Sequence, residues 1–102
     1  MAIVDKRLCK GTLSNANATL YAVPAVTTAI VKALTLCNKS ASAATVTLSF
    51  AGVEILCAYT LSGYETLTIP FMDQILAAEE LIEGLSGTDT VINYYISGKE
   101  VS

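Results

Sequence analysis

The chain offers few side chains that could perform chemistry. It contains no histidine and three cysteines, Cys9, Cys37 and Cys57. Ser–His–Asp and Cys–His sites need an imidazole as their base, so neither can form within this chain. The cysteine spacings match no CxxC or zinc pattern. We therefore expect no catalytic residue, no metal and no cofactor, and hence a protein that is not an enzyme.

The cysteines have structural interpretations instead. Cys57 falls on the apolar side of a predicted strand, which favours a small buried residue there. An odd number of cysteines also leaves room for one intermolecular disulfide. The sequence does not say whether Cys9, Cys37 or Cys57 would form it.

Carboxylates cluster once, at Glu79, Glu80 and Glu83. On a helix Glu79 and Glu83 would share a face. No Asp-rich, glycine-containing loop surrounds them, so a solvated acidic turn is favoured over a calcium site or a catalytic pair. No phosphate-binding glycine motif occurs in the chain.

Five tyrosines could serve binding: Tyr21, Tyr59, Tyr64, Tyr94 and Tyr95. They could build a platform for sugars, but contact with protein is the commoner use of tyrosine on a surface. Tyr94 and Tyr95 are adjacent in a predicted strand, so they face opposite ways.

The composition points to contact with other proteins. The chain is 53% hydrophobic and only 15% charged, with 14 alanines and 12 threonines. Much of its surface must therefore be small, neutral and flat, which suits burial against protein. The net charge of −3 argues against nucleic acid. No apolar stretch is long enough to span a membrane, and no signal peptide is visible, so we expect synthesis in the cytoplasm.

Alternating apolar and polar residues predict three consecutive strands over 45–50, 53–61 and 66–71. Ala51-Gly52 and Ser62-Gly63 would turn the chain between them and produce a meander. The residues expected to face inward are Val46, Leu48, Phe50, Val53, Ile55, Cys57, Tyr59, Leu61, Leu67, Ile69 and Phe71. Pro70 places the third strand at a sheet edge or at its own end.

Further strands are predicted over 19–23, 27–37 and 92–96, with a polar loop at 38–44. Lys32 lies in the apolar row of the second of these, so we expect it near a strand end or reaching outward to solvent. Asp5, Lys6, Arg7 and Lys10 form a mixed-charge group that suits a solvated strand edge or an arm.

The segment 73–84 permits two structures. Its residues are good helix formers, with Asp73 as a possible cap and Gly84 as a terminator. The neighbouring segments are all strands with short connections, which favours two short strands around a turn.

These elements predict an all-β fold, a single antiparallel β-sandwich of Ig-like or jelly-roll form. Seven or eight short strands would occupy residues 1–102 as one domain, with 1–6 as an extended N-terminal arm and one helical turn near 75–83 as an alternative.

Four segments resemble small structural proteins of tailed bacteriophages. They are Leu20-Tyr21-Ala22-Val23-Pro24, 27–38 (TTAIVKALTLCN), 43–48 (AATVTL) and 93–101 (NYYISGKEV), about a third of the chain. The turn after Pro24 usually carries glycine where this chain has Val26, which indicates a different turn geometry. A later turn usually reads Ala-Gly where Ala78-Glu79 stands, which keeps the helical alternative open.

This resemblance implies a virion component, namely a head-decoration, neck or collar, or tail-fibre-associated β-sandwich. Its partners would be its own copies, as a trimer or higher homo-oligomer, and other virion proteins, without nucleic acid or membrane. The alternative is a carbohydrate- or receptor-binding module displayed on a particle. The position on the particle, the oligomer symmetry and the strands that form the interface are not set by the sequence.

Overall fold

The computed structural model describes residues 3–102 and contains nine strands and no helix within them. The strands are β1 Ile3–Thr12, β2 Ala18–Ala22, β3 Thr28–Asn38, β4 Ala44–Phe50, β5 Val53–Leu61, β6 Thr66–Ile69, β7 Gln74–Leu76, β8 Leu81–Ser86 and β9 Ile92–Val101. They form two antiparallel sheets, which confirms the predicted all-β sandwich.

One sheet has the order β1-β9-β3-β6, with β7 pairing the same edge of β3 as β6 does. We call it sheet A. The other, sheet B, has the order β2-β8-β4-β5. Buried apolar side chains from both sheets and from the ends of their strands form one core between them: Leu8, Leu13, Val23, Ala29, Val31, Leu34, Leu36, Ala44, Val46, Leu48, Phe50, Leu61, Leu76, Ile82, Ile92 and Ile96.

β4 is the strand whose faces the sequence predicts best. Val46, Leu48 and Phe50 are buried, and the threonines and the serine between them are half-buried on the opposite face. Ala51 and Gly52 both have positive φ, 53° and 79°, which is the type I′ geometry that matches the twist of a hairpin. The predicted β4–β5 hairpin is therefore confirmed.

The predicted meander is wrong. β6 pairs with β3 in sheet A and lies in a different sheet from β5, so residues 62–65 carry the chain from one sheet to the other. The turn at Ser62-Gly63 exists, and the amide of Glu65 donates to the carbonyl of Ser62 at 3.0 Å. Such a turn is compatible with a hairpin or a crossover, and the pairing of β6 with β3 selects the crossover.

Segment 73–84 adopts the strand–turn–strand arrangement. β7 and β8 are joined by a turn in which the amide of Glu80 donates to the carbonyl of Ala77 at 3.1 Å. The Glu80 side chain accepts a hydrogen bond from the amide of Ala77 at 2.6 Å. Glu79 has φ 68° and breaks any helical path at the centre of the segment.

Residues 3–6 of the expected arm are the first residues of β1, and they pair with residues 98–101 of β9. This pairing occurs because β9 extends through Gly98 to Val101 and offers partners to the whole of β1. Residues 1 and 2 of the expected arm lie outside the described residues.

Val26 occupies the turn after Pro24 with φ 58° and is 88% exposed. This is the left-handed conformation that glycine adopts most readily. A β-branched residue in this conformation is strained by about 1–3 kcal/mol.

We expect Val26→Gly to stabilise the protein by about 1 kcal/mol in urea unfolding, since relief of strain exceeds the added entropy of the unfolded chain. Glu79→Gly, at φ 68°, is the graded comparison and should gain less, because glutamate is not β-branched. A loss of stability in Val26→Gly, with Glu79→Gly unchanged, would contradict this account of the turn.

Candidate protein-interaction surface

The exposed apolar side chains of the described residues concentrate on one side of the sandwich. We call this side the lateral edge and define it as β5 together with residues 70–76. It holds five of the ten exposed large hydrophobic side chains of residues 3–102: Val53 (65% exposed), Ile55 (37%), Tyr59 (40%), Phe71 (91%) and Ile75 (69%).

The sheet topology brings these two segments to the same side. β5 is an edge strand of sheet B, and β6 and β7 form an edge of sheet A. The opposite edges of the two sheets, β1 and β2, contact each other. β5 and the β6–β7 segment therefore flank the sandwich on the side away from β1 and β2.

β5 departs from simple alternation because it contains two bulges. Its register with β4 shifts between Leu56 and Glu54 and again between Tyr59 and Leu56. Leu56, opposite buried Leu48, is the half-buried residue in the middle of the strand. Each extra residue reverses the face of the side chains that follow. The predicted facing holds for Val53, Tyr59 and Leu61, which lie opposite buried Phe50, Val46 and Ala44, although Val53 and Tyr59 stay exposed at this sheet edge. It fails between the bulges, where Leu56 takes the inward position.

Cys57 is exposed, in contrast to the buried position predicted for it. The bulge at this point places a positive φ of 48° at Ala58, whose amide donates to the hydroxyl of Thr47 at 3.0 Å. Cys9 and Cys37 are half-buried, and no disulfide forms among the three thiols within one copy.

Phe71 projects from the loop between β6 and β7, in contrast to the inward position predicted for it. β6 ends at Ile69, as Pro70 predicts, and the alternation ends with it. The loop is anchored by the amide of Met72, which donates to the carbonyl of Lys32 at 2.8 Å. An open hollow on the lateral edge is lined by Lys32, Pro70, Phe71, Met72 and Asp73.

Lys32 lies within β3 and reaches outward to solvent, the second of the two predicted possibilities, and a bulge explains how it is accommodated. The register of β3 with β9 shifts between Val31 and Ala33, so Lys32 is the extra residue. Its ammonium group reaches the carboxylate of Asp73 in an ion pair on the lateral edge, where both side chains are substantially exposed. Such an exposed pair contributes little to stability.

The opposite side of the sandwich is charged. Asp5, Lys6, Arg7 and Lys10 are exposed along β1, as predicted for a solvated strand edge. Lys6 pairs with Glu100 at 3.4 Å, and Lys99 pairs with Asp5 at 3.8 Å. Charged side chains on an edge strand oppose pairing with another chain.

The outer face of sheet A combines small neutral residues with an aromatic and a charged one. One row across it consists of Thr68, Thr35, Tyr95 and Lys10 on four neighbouring strands. Tyr95 is 47% exposed, and the guanidinium of Arg7 lies 5.8 Å from the centre of its ring.

The tyrosines do not converge on one platform. Tyr94 is half-buried against the core and Tyr95 is exposed, which confirms that they face opposite ways. The hydroxyl of Tyr21 donates to the carboxylate of Glu100 between β2 and β9, and burial and this hydrogen bond raise the pKa of Tyr21. Tyr59 lies on β5 and Tyr64 in the crossover 62–65.

The thiols lack the environment of a nucleophile. Burial raises the pKa of Cys9 from 9.0 to about 11. A hydrogen bond with Glu54 raises the pKa of Cys57. A reactive cysteine requires a lowered pKa, which positive charge nearby would supply.

The carboxylates of the acidic segment serve separate local contacts. Glu80 caps its own turn, and Glu83 accepts a hydrogen bond from the side chain of Asn17 at 3.5 Å. In residues 3–102, no group of three or more histidine, cysteine, aspartate or glutamate side chains could hold a metal ion. The same residues include no helix that is long and apolar enough to cross a membrane.

Comparison with known proteins finds a likeness of fold. No protein-family model and no curated protein matches the sequence. Among solved structures, the chain is similar to one in the capsid asymmetric unit of the cyanophage Pam1, with a TM-score of 0.50 and 16% sequence identity. The likeness covers 96% of this chain and 83% of that chain, so it extends over nearly the whole of both.

Proposed function

We propose that this protein is a non-enzymatic structural component of a bacteriophage virion, which acts by packing against its own copies and against other virion proteins. The observation that carries the proposal is the likeness in fold, over nearly the whole chain, to a chain of a cyanophage capsid. Of the head, neck and tail positions that the sequence suggests, this likeness favours the capsid.

The lateral edge supports a role in protein contact. It exposes Phe71 almost entirely and Ile75 by about two-thirds, together with apolar side chains of β5. Exposed aromatic and aliphatic side chains on a rigid sheet edge, rimmed by polar residues, are typical of protein interfaces. The charge on β1 and the flat threonine-rich face of sheet A leave the lateral edge as the most apolar side of the described residues.

Phe71→Ser tests the role of this surface. Phe71 is 91% exposed, so its loss should change the free energy of unfolding by less than about 0.5 kcal/mol. An aromatic side chain buried in an interface contributes about 2 kcal/mol or more, so binding should weaken by at least about tenfold. The measurement is binding of the purified, labelled protein to particles of the parent phage that lack it.

Tyr95→Ser is the matched control, because Tyr95 is an exposed aromatic residue on the outer face of sheet A, in an inner strand away from the lateral edge. Unchanged binding is expected for this variant. A structural role is also supported if a phage without the gene forms no particles. Equal binding by Phe71→Ser and the wild type, or no binding by either, would contradict the proposal.

A further inference from the structure

β5 is the longest edge strand among residues 3–102 without lysine, arginine or proline, although two bulges interrupt it. The edge strand β1 carries four exposed charged residues, and β2 is only five residues long and contains a bulge. The β6–β7 edge is interrupted by Pro70 and the loop that follows it. β5 is nine residues long and contains two bulges, but it has neither lysine, arginine nor proline, and Glu54 is its one charged residue.

An unpaired, exposed edge of this kind is a template for another strand. The second strand that fits it best is β5 of another copy. In an antiparallel pair of identical strands, each residue meets its mirror position about the midpoint. The midpoint of β5 is Cys57, since the strand runs from Val53 to Leu61.

This register is self-complementary. It sets Ile55 opposite Tyr59 of the other copy, and both are exposed apolar side chains in the single copy. It sets Glu54 opposite Thr60, so that the two carboxylates do not meet. Opposed aromatic and β-branched side chains stabilise a strand pair, whereas like charges directly opposite destabilise it.

We propose that two copies of this chain pair antiparallel through β5, about a two-fold axis at Cys57, and so join their sheets B into one eight-stranded sheet. Such an interface uses the same surface of both copies and closes on itself. It predicts a dimer, or an even-numbered assembly of dimers, in place of the trimer suggested by the resemblance. The inference gives one form to the contact between copies that the proposed function includes.

The geometry at the axis supplies a direct test. Opposed residues of an antiparallel pair have Cα atoms about 4.5–5.5 Å apart, within the range of about 4.4–6.8 Å that a disulfide needs. Cys57 is exposed, so its thiol is open to an oxidant. The two Cys57 thiols would give up two electrons and two protons to oxidised glutathione, which becomes two molecules of glutathione.

The experiment uses the full chain with Cys9→Ser and Cys37→Ser, treated with oxidised glutathione at mildly alkaline pH. Most of the protein should migrate as a covalent dimer on a non-reducing gel. The matched variant carries Cys9→Ser and Cys57→Ser, so that Cys37 is its one thiol. It should stay monomeric on that gel. Equal cross-linking through Cys37 and Cys57 would overturn the inference.

The register is tested in a chain without native cysteines. A mixture of Glu54→Cys and Thr60→Cys chains should form a mixed disulfide dimer, because these positions are opposed in the proposed pair. Either variant alone should cross-link several times less. Efficient cross-linking of Glu54→Cys with itself would show a different register and overturn the axis at Cys57.

Molar mass in reductant tests the interface without a covalent bond. Light scattering should give twice 10.7 kDa for the wild type, and 10.7 kDa for Ile55→Lys. Val4→Lys, which adds the same charge at an exposed position on β1, should remain a dimer. A wild-type trimer, or a wild-type monomer that still binds particles, would overturn this inference and leave the virion role intact. A dimer through β5 that is absent from particles would contradict the virion role and leave this inference intact.

Discussion

Replacing Gly98 with alanine should destabilise the protein by about 4 kcal/mol, a large fraction of the 5–15 kcal/mol that holds a typical domain folded. Gly98 is buried in β9, and a β-carbon there would lie 2.0 Å from the carbonyl oxygen of Ile30 and 3.0 Å from its carbonyl carbon. The obstacle is backbone of the neighbouring strand, so a rotamer change cannot relieve the clash.

The close approach has a cause in the strands on either side of β9. β3 has its bulge between Val31 and Ala33, and β1 has one between Arg7 and Cys9. Both lie beside the same short stretch of β9, where Val31 is paired with Gly98 and Arg7 with Ser97. A bulge bends its strand, and glycine is the residue that accepts another backbone at this distance.

Urea unfolding of Gly98→Ala checks this prediction, with Ser97→Ala as the neighbouring control. Ser97 is half-buried in the same strand and already carries a β-carbon, so its change should cost less than about 1 kcal/mol. Stability of Gly98→Ala within 1 kcal/mol of the wild type would mean that β3 can move away, and that the paired bulges do not fix this part of sheet A.

The second large effect is expected at Asn38, which is fully buried at the end of β3. Its amide nitrogen donates towards the carbonyls of Ser42, Leu61 and Ser62, at 2.9, 3.1 and 3.1 Å. Its side-chain oxygen accepts hydrogen bonds from the amide and the hydroxyl of Ser40. One side chain thus joins the 39–43 loop to the crossover that carries the chain between the sheets.

Asn38→Ala should cost about 3 kcal/mol, because several backbone groups lose their partner and each buried unsatisfied group costs about 1–3 kcal/mol. Asn38→Asp should cost at least as much. Aspartate keeps the shape of the side chain and can still accept the hydrogen bonds from Ser40. Its carboxylate has no N–H to donate to the three carbonyls and is repelled by their oxygens. Asn93→Ala is the control, since Asn93 is exposed and, within residues 3–102, its side chain makes one hydrogen bond, which it accepts from the hydroxyl of Thr12. A small loss in Asn38→Asp would contradict the assigned hydrogen bonds.

Alternation predicts the strands well where both faces follow a period of two. β4 is the clearest case, and in the predicted strand β9 Tyr94 and Tyr95 face opposite ways as expected, with Tyr94 on the same core-facing side as Ile92 and Ile96. The polar loop predicted over 38–44 also joins β3, which ends at Asn38, to β4, which begins at Ala44. These features depend on neighbouring residues alone, so the sequence can predict them.

The candidate surface was mispredicted because bulges and long-range pairing decide it. Alternation predicts Cys57 in the core, but the first bulge of β5 shifts the inward position to Leu56 and the second restores the original alternation at Tyr59. Simple alternation puts Lys32 in an apolar row of β3, but Lys32 is the extra residue of a bulge and reaches outward to solvent. Phe71 was expected to continue β6, which ends two residues earlier. No local pattern marks the position of a bulge when the extra residue is an ordinary one.

Copy number in purified particles tests the central claim most directly. Particles of the phage that encodes this sequence would be purified on a density gradient, washed in high salt and analysed by quantitative mass spectrometry. We predict that the chain is present in a fixed ratio to the main capsid protein, and that the ratio survives the wash. Particles that lack the chain, while it is abundant in the infected cell, would contradict a structural role in the virion.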